Sequence, residues 1–453
     1  MQALTRDQDL NQIITAALTR ADPQEMIRRC LQVDGDRLKV ETEGVSREFD
    51  LREYESVLLI GAGKASGRMA RAVEELLGEA ITAGAVVTKT GHGEPVERVS
   101  LLEAGHPVPD AAGVEATSRI AEIADGAGER DLVISVISGG GSALLVSPYE
   151  DRDHTISLED MQETTELLLA SGAAIQEINC LRKHLSGVKG GRLARRLAPA
   201  TSINLILSDV VGDDLSSIAS GITSPDPTTY QDAVEIAGRY GIWERLPPGV
   251  RRLLEAGAAG RVEETPKRGS AVFERVHNII IGSNAQALAA AGDQAERLGY
   301  NTVVLTATLT GEAREVAKFF TSLARGVAEG VSSLQPPLCI LAGGETTVTL
   351  APDHGVGGRN QELLLSGLAE ALTAPELFQG TLFCSLATDG NDGPTDSAGG
   401  WFDYRTLAAA DRGKLFDHLR RNDAYSCLEE LGAHLRTGAT NTNVCDIQIL
   451  ICR

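Results

Sequence analysis

Several short segments set a cation or a carboxylate among glycines, the pairing that anion and phosphoryl chemistry uses. In "GAGKAS", Gly61 and Gly63 precede Lys64, and with Gly67 the stretch reads GxGxxxG. That is one residue off the dinucleotide fingerprint. Lys64 beside two glycines at a helix start is placed to neutralise a phosphate, while a plain strand-to-helix turn is the competing reading. The following apolar run ends "VVTKTGHG", with Lys89 where an NAD site needs a carboxylate for a ribose hydroxyl. A lysine suits a 2′-phosphate, so an NADP reading stays open. Ala65 after "GK" and the missing upstream glycine exclude a Walker A loop.

"SGGGSALL" supplies Ser138, Gly139, Gly140, Gly141 and Ser142 after another apolar run. Bare backbone N–H groups there can cradle phosphate or carboxylate, and close helix packing is the structural alternative. "LRKHLSGVKGGRLA" gathers Arg182, Lys183, His184, Lys189 and Arg192 around Gly190–Gly191, either an anion site or a solvated helix face. In "LSDVVGDD", Asp209 lies just past a strand, where a carboxylate suits Mg²⁺ or proton transfer from a hydroxyl. Asp213 and Asp214 taken singly suit helix capping.

The second half repeats the theme. Gly343, Gly344 and Glu345 follow one apolar run, and Arg359 and Asn360 open a helical stretch after "GVGG". An arginine there can grip phosphoryl oxygens with its planar fork. "LATDGNDGPTDSAGG" places Asp389, Asp392 and Asp396 among glycines, as Mg²⁺ ligands or as turn caps. Their spacing is not that of an EF-hand. "GHPVPD" reads as a proline-stiffened loop, and His92, His106 and His277 form no zinc pattern. No G-x-S-x-G elbow is present, which argues against an α/β-hydrolase.

Short apolar runs must position these loops. They begin at Ser56, Gly84, Leu132, Ser202, His277, Asn301, Leu338, Leu382 and Val444 and alternate with amphipathic stretches. That alternation predicts α/β units with largely parallel sheets, whose ligands gather at the carboxyl ends of strands. A proline- and charge-rich segment between 245 and 275 breaks the rhythm. The expected organisation is two α/β domains, 1–260 and 261–453, with a ligand cleft between them.

With 453 residues, 42% hydrophobic and 23% charged, the composition is that of a soluble globular protein. A formal charge of −21 makes nucleic acid and anionic membranes improbable partners and requires a local basic pocket for any anionic substrate. Seven scattered cysteines without a CxxC, a polar N-terminal stretch and no apolar run long enough for a span predict a cytoplasmic protein with reduced thiols.

In order, "GAGKAS", "TKTGHG", "AGHPVPD", "SGGGSALL", "INCLRKHLSGVKGGRLA", "LSDVVGDDLSSIASGIT", "GGETTVTL", "GGRNQE" and "ATDGNDGPTDSAGG" resemble the class II glycerate kinases, whose C-terminal part is known as the MOFRL domain. The resemblance is loose before Leu51 and between Arg245 and His277. It implies a larger Rossmann-like N-terminal domain, a smaller C-terminal α/β domain and an active-site cleft between them. It also implies Mg²⁺-dependent transfer of the ATP γ-phosphoryl group to the 2-hydroxyl of D-glycerate. By motif, Lys64 and Arg359 are the cations at the transferring group and Asp209 accepts the hydroxyl proton. Gly61, Gly63, Ser138 to Ser142, Arg182 and Lys189 hold substrate or phosphate. Gly343, Gly344, Glu345, Asn360 and Asp389 lie on the nucleotide side, and Asp209, Glu345 and Asp389 are metal candidates. Ile222 in "ASGIT" departs from the expected proline and alters loop stiffness. The family has also carried a hydroxypyruvate reductase label, which is the NADP reading. A non-catalytic sensor of sugar acids or sugar phosphates is a third reading, and a homodimer is compatible with the resemblance.

Overall fold

The computed structural model describes residues 4–453. Two compact units share the chain: Met26–Ile281, here the N-terminal unit, and the stretch up to Glu25 joined with Gly282–Arg453, the C-terminal unit. A single boundary at 260/261 is therefore replaced by crossings at 25/26 and 281/282. Packing explains both. The helix Gln8–Arg20, capped by Asp7, buries Leu10, Ile13, Ile14 and Ala17 at helical spacing and packs on the helix Asn284–Arg297. Each buried leucine or isoleucine contributes about 1.5–3 kcal/mol. Arg20 donates to Gln286 Oε1 (2.7 Å), and the Thr442 hydroxyl donates to the Ala21 carbonyl (2.6 Å). The second crossing follows from a strand ending at Gly282 that still belongs to the first unit's sheet.

In the N-terminal unit, β1 (Leu31–Asp34), β2 (Arg37–Thr42) and β3 (Val45–Asp50) form a small antiparallel sheet. The main sheet contains β4 (Ser56–Ala62), β5 (Ile81–Lys89), β6 (Ser100–Ala104), β7 (Asp131–Ile137), β8 (Thr201–Leu207) and β9 (Val276–Gly282), in the order β6-β5-β4-β7-β8-β9. Its pairings from β6 to β8 are all parallel. The central strands β7 and β8 are buried on both faces, as their continuous Val/Ile/Leu character predicts. One core packs Ile60, Val133, Ile137, Leu193 and Ile206 against the flanking helices, and Ile222 is fully inside it. A second core, built around Leu168, Leu181, Tyr230 and Leu253, joins helices of the 158–258 region.

The C-terminal unit carries β10 (Asn301–Leu309), β11 (Leu338–Gly344), β12 (Thr381–Ala387), β13 (Gly399–Asp403), β14 (His434–Leu435) and β15 (Asp446–Cys452). Their order is β10-β11-β15-β12-β13-β14. Only β10–β11 is parallel; β15 lies antiparallel between β11 and β12. The sheet is mixed, so the expectation of largely parallel pairing holds for one unit and not for this one. Antiparallel insertion sets the first residue of β15 beside the last residues of its neighbours: Asp446 pairs with both Gly344 and Ala387. Among the described residues, no helix is long and apolar enough to cross a membrane.

Candidate active site

In the N-terminal unit, the turns after β4 and β7 are interlocked. Gly63 has φ +141°, and a Cβ on it would stand 2.1 Å from Ser138 Oγ; one on Gly61 would stand 2.4 Å from Val136 Cγ2. No larger residue fits between two backbones this close. The Lys64 N–H donates to the Gly139 carbonyl (2.8 Å). The Ala65 N–H donates to Ser138 Oγ (3.0 Å), and the Ser66 hydroxyl donates to the Val136 carbonyl (3.1 Å). Gly61, Gly63 and buried Ser138 therefore fix the two turns against each other, the packing alternative to direct ligand contact.

That lock presents other groups. Gly140, at φ +80°, has the His106 ring and the Lys64 stem on the face where a Cβ would point, with His106 Nε2 2.9 Å and Lys64 Cγ 3.2 Å from that position. Gly139 faces Asp209, whose Oδ2 would lie 2.2 Å from an added Cβ. Gly141 opens a short helical turn, and Ser142 Oγ bonds Ser220 Oγ (2.7 Å). The carboxyl ends of β4, β6, β7 and β8 thus bring Lys64, His106, the Gly139–Gly141 turn and Asp209 together. Burial, then Lys64, Lys89 and His92, hold the His106 pKa down to about 4, so its imidazole is neutral.

The basic stretch that follows is mainly an internal polar network. Lys183 pairs with Asp226 (3.1 Å) and His184 with Glu264 (2.9 Å), all but Glu264 buried. Arg192 donates to the Lys183 and Ser186 carbonyls and to Tyr230 Oη. Lys189, a candidate ligand contact by sequence, is 2% exposed and donates to the Leu145 carbonyl (2.5 Å). Burial, with a smaller push from Arg182, lowers its pKa to about 7. The Gly190–Gly191 turn that follows has both residues at positive φ. Arg182 stays half-buried. Asp214 accepts from the Ser216 N–H and the Ser217 hydroxyl, a turn-capping role.

In the C-terminal unit, Arg359 is the first residue of the helix Arg359–Ala371. Its guanidinium donates through Nε to Asp446 Oδ2 (2.5 Å), through Nη2 to Asp446 Oδ1 (2.9 Å) and through Nη1 to Glu345 Oε1 (2.7 Å). Asp446 is completely buried; burial pushes its carboxyl up to about 7, against the Arg359 bonds that favour the ionised form. Asn360 is completely buried too. Its N–H and amide donate to Asp392 Oδ1 (both 3.1 Å), and the Ser385 hydroxyl donates to its carbonyl (2.5 Å). This engagement leaves the side chain turned from solvent. Asp392 also takes the Gln361 N–H (2.9 Å) and so caps the helix.

Gly343 and Gly344 are packing glycines as well: added Cβ atoms would meet Asn284 Oδ1 at 2.0 Å and the Leu309 carbonyl at 2.2 Å. Glu345 is exposed beyond its bond to Arg359. Asp389 is half-buried and accepts from the Asn391 N–H (3.0 Å). Asp396 pairs with Tyr425 and Arg436. Among the described residues no three His, Cys, Asp or Glu side chains are gathered as for a metal ion. Two placements escaped the sequence reading. His106 follows β6, a short half-exposed strand whose pattern gave no signal. Asp446 is the single carboxylate opening an otherwise apolar run.

A family described as a domain of unknown function, DUF4147, matches residues 9–255, and the MOFRL family matches residues 338–446. The glycerate 2-kinase of Pyrococcus horikoshii is 41% identical over 97% of this chain and 96% of its own. The D-glycerate 2-kinase of Thermotoga maritima is 40% identical over 94% of this chain and 99% of its own. The crystal structure of the Thermotoga maritima glycerate kinase superposes with a TM-score of 0.82 at 37% identity, covering 97% of this chain and 98% of that one. A chain from Agrobacterium vitis, 41% identical over 87% of this chain and 86% of its own, carries a provisional hydroxypyruvate reductase name. Full-length identity at this level, with both halves matched in order, places the chain in the family of glycerate kinases that end in a MOFRL domain.

Proposed function

We propose that the protein phosphorylates D-glycerate at the 2-hydroxyl with ATP, releasing 2-phosphoglycerate and ADP. The observation that carries this reading is the meeting of Lys64, the Gly139–Gly141 turn and Asp209 at one end of a parallel sheet. Phosphoryl transfer needs little covalent help from the protein; it needs cations, oriented donors and a group to take the hydroxyl proton. Lys64 meets the phosphoryl oxygens, the Gly139–Gly141 amides hold them, and Asp209 accepts the proton as the 2-oxygen bonds to phosphorus and the bond to ADP breaks. Arg359 supplies a second cation, and its fork is oriented by Asp446. Glu345 and Asp389 serve the nucleotide side.

Mg²⁺ fits this donor set as an ion that arrives on ATP. It keeps waters and phosphate oxygens as ligands and takes only one or two carboxylates, the candidates being Asp209, Glu345 and Asp389. Bound there, it would offset charge on the phosphates. The seven cysteines are buried and unbridged, which supports a reducing compartment, the cytoplasm.

Two assays on one preparation test the reading. ADP release from ATP, Mg²⁺ and D-glycerate, with ³¹P NMR placing the new phosphate on the 2-oxygen, is the expected result. Lys89 gives the reductase reading its one structural foothold. Hydroxypyruvate-dependent loss of NADPH without ADP formation would replace the kinase with that activity.

A further inference from the structure

A group of charges beside Lys64 is used by none of the roles above. Lys89 ends β5 opposite Ala104, the last residue of β6. The Thr90 N–H donates to the Ala104 carbonyl (3.1 Å) and the His92 N–H to the Lys89 carbonyl (2.9 Å), folding this loop back over the strand ends. His106 follows β6 by two residues and lies over Gly140 with the Lys64 stem. The carbonyl of His92 approaches Gly67, 3.3 Å from where a Cβ would be, at the start of the helix after Lys64. Three adjacent strand ends therefore gather Lys64, Lys89, His92 and His106.

Burial, then the two ammonium groups, lower the pKa of each imidazole, against a bond to the Lys64 backbone at His92, so both rings are neutral hydrogen-bonding groups. Glu103 acts on His92 in the opposite sense and accepts the Gly91 N–H (3.2 Å). Among the described residues neither Lys64 nor Lys89 forms an ion pair. His92 Nδ1 is buried without a hydrogen-bond partner. In a chain of net charge −21, unpaired lysines and an unpartnered buried imidazole nitrogen make a site that an anion completes.

We propose that Lys89, His92 and His106, with Lys64 at their edge, hold the carboxylate of the hydroxy acid and turn its 2-hydroxyl toward the Gly139–Gly141 turn. This rests on the glycerate reading and assigns its acid subsite. A singly charged carboxylate matches one free ammonium with neutral imidazole donors, leaving Lys64 for the phosphoryl group. The sheet order agrees: β5 and β6 lie on the side of β4 away from β7 and β8.

Calorimetric titration of D-glycerate into the nucleotide-free, full-length protein near pH 7 reads the affinity. The wild type should bind, and His106→Ala should weaken binding by about threefold to tenfold, the worth of a neutral hydrogen bond. Lys89→Met should weaken D-glycerate by about tenfold or more, the worth of a charge-assisted hydrogen bond. Lys89→Arg should recover part of that loss, which a purely structural lysine would not require. The KM for ATP should stay within about twofold in all of them. Weakened ATP or NADPH binding in place of weakened D-glycerate binding would give the pocket to a nucleotide and overturn the proposal. Unchanged D-glycerate binding in every variant would overturn it as well. Failure of the kinase reading is separate: the wild type would then form no ADP with D-glycerate.

Discussion

Asp446 holds Arg359 by both carboxylate oxygens, at 2.5 and 2.9 Å, from the first residue of a strand inserted between β11 and β12. Glu345 takes the remaining Nη1 at 2.7 Å. The guanidinium is thereby fixed in one plane at the start of its helix, by one buried carboxylate and one exposed one.

Asp446→Ala should remove that orientation and leave the arginine without its buried counter-charge. Breaking a buried pair by deleting one partner costs about 3–5 kcal/mol; Arg359 is partly exposed, which places the loss near the lower end. Urea unfolding should show it. Asp446→Asn should keep most stability yet lower kcat by about tenfold or more, because one oriented charged bond is gone.

Gly63→Ala should disrupt the interlocked turns, because the new methyl would stand 2.1 Å from Ser138 Oγ at φ +141°. Strain of this kind costs about 1–3 kcal/mol. Gly35→Ala is the control: its φ is +58° and nothing lies within 4 Å, so about 1–2 kcal/mol of backbone strain is its full effect. Melting temperatures of both, with kcat, separate a local clash from a general glycine effect; only Gly63→Ala should lose turnover.

Lys64→Met and Lys189→Met should part company. Lys64 is half-buried and unpaired beside the glycine turn, so its loss should cut kcat/KM by about 10²–10⁴ with the fold intact. Lys189 donates only to a carbonyl in the interior. Methionine of similar shape should leave stability equal or higher there and kcat/KM within about tenfold. Equal losses in steady-state assays would return Lys189 to the ligand site.

His106 gives a pH signature. Its folded pKa, about 4, lies below the ordinary histidine value of 6.5, so the unfolded chain binds the proton more readily between those limits. Stability must then fall as pH drops from 6.5 toward 4, by at most about 1.4 kcal/mol per pH unit from this group. His106→Gln lacks this contribution. Its urea midpoint should rise relative to wild type across the same window, and a constant difference would show that the ring titrates normally.

Much of the fold is legible along the chain because buried strands write themselves as unbroken apolar runs, and each of the nine candidates forms a strand. The strands that escaped, β1 to β3, β6, β13 and β14, are short, half-exposed or glycine-rich, so their side chains carry little periodicity. Glycine clusters marked the right turns but not the reason for them. Gly61, Gly63, Gly343 and Gly344 answer to backbones only a few ångströms away, which no local pattern encodes. Lys189 and Asn360 carry the polar character of ligand contacts and are consumed inside the protein. His106 and Asp446 become legible only once the sheet order is known, since each owes its place to a neighbouring strand distant in sequence.

The central position of β15 has a consequence for how the protein is made. Residues 446–452 leave the ribosome after every other strand of the C-terminal unit, yet they form the middle of its sheet. The N-terminal unit, complete at Ile281, can fold during synthesis. The helix Gln8–Arg20 must wait for Asn284–Arg297, and Arg359 waits for Asp446, 87 residues later. A nascent chain stalled before residue 446 would therefore carry β11 and β12 with the place between them unfilled.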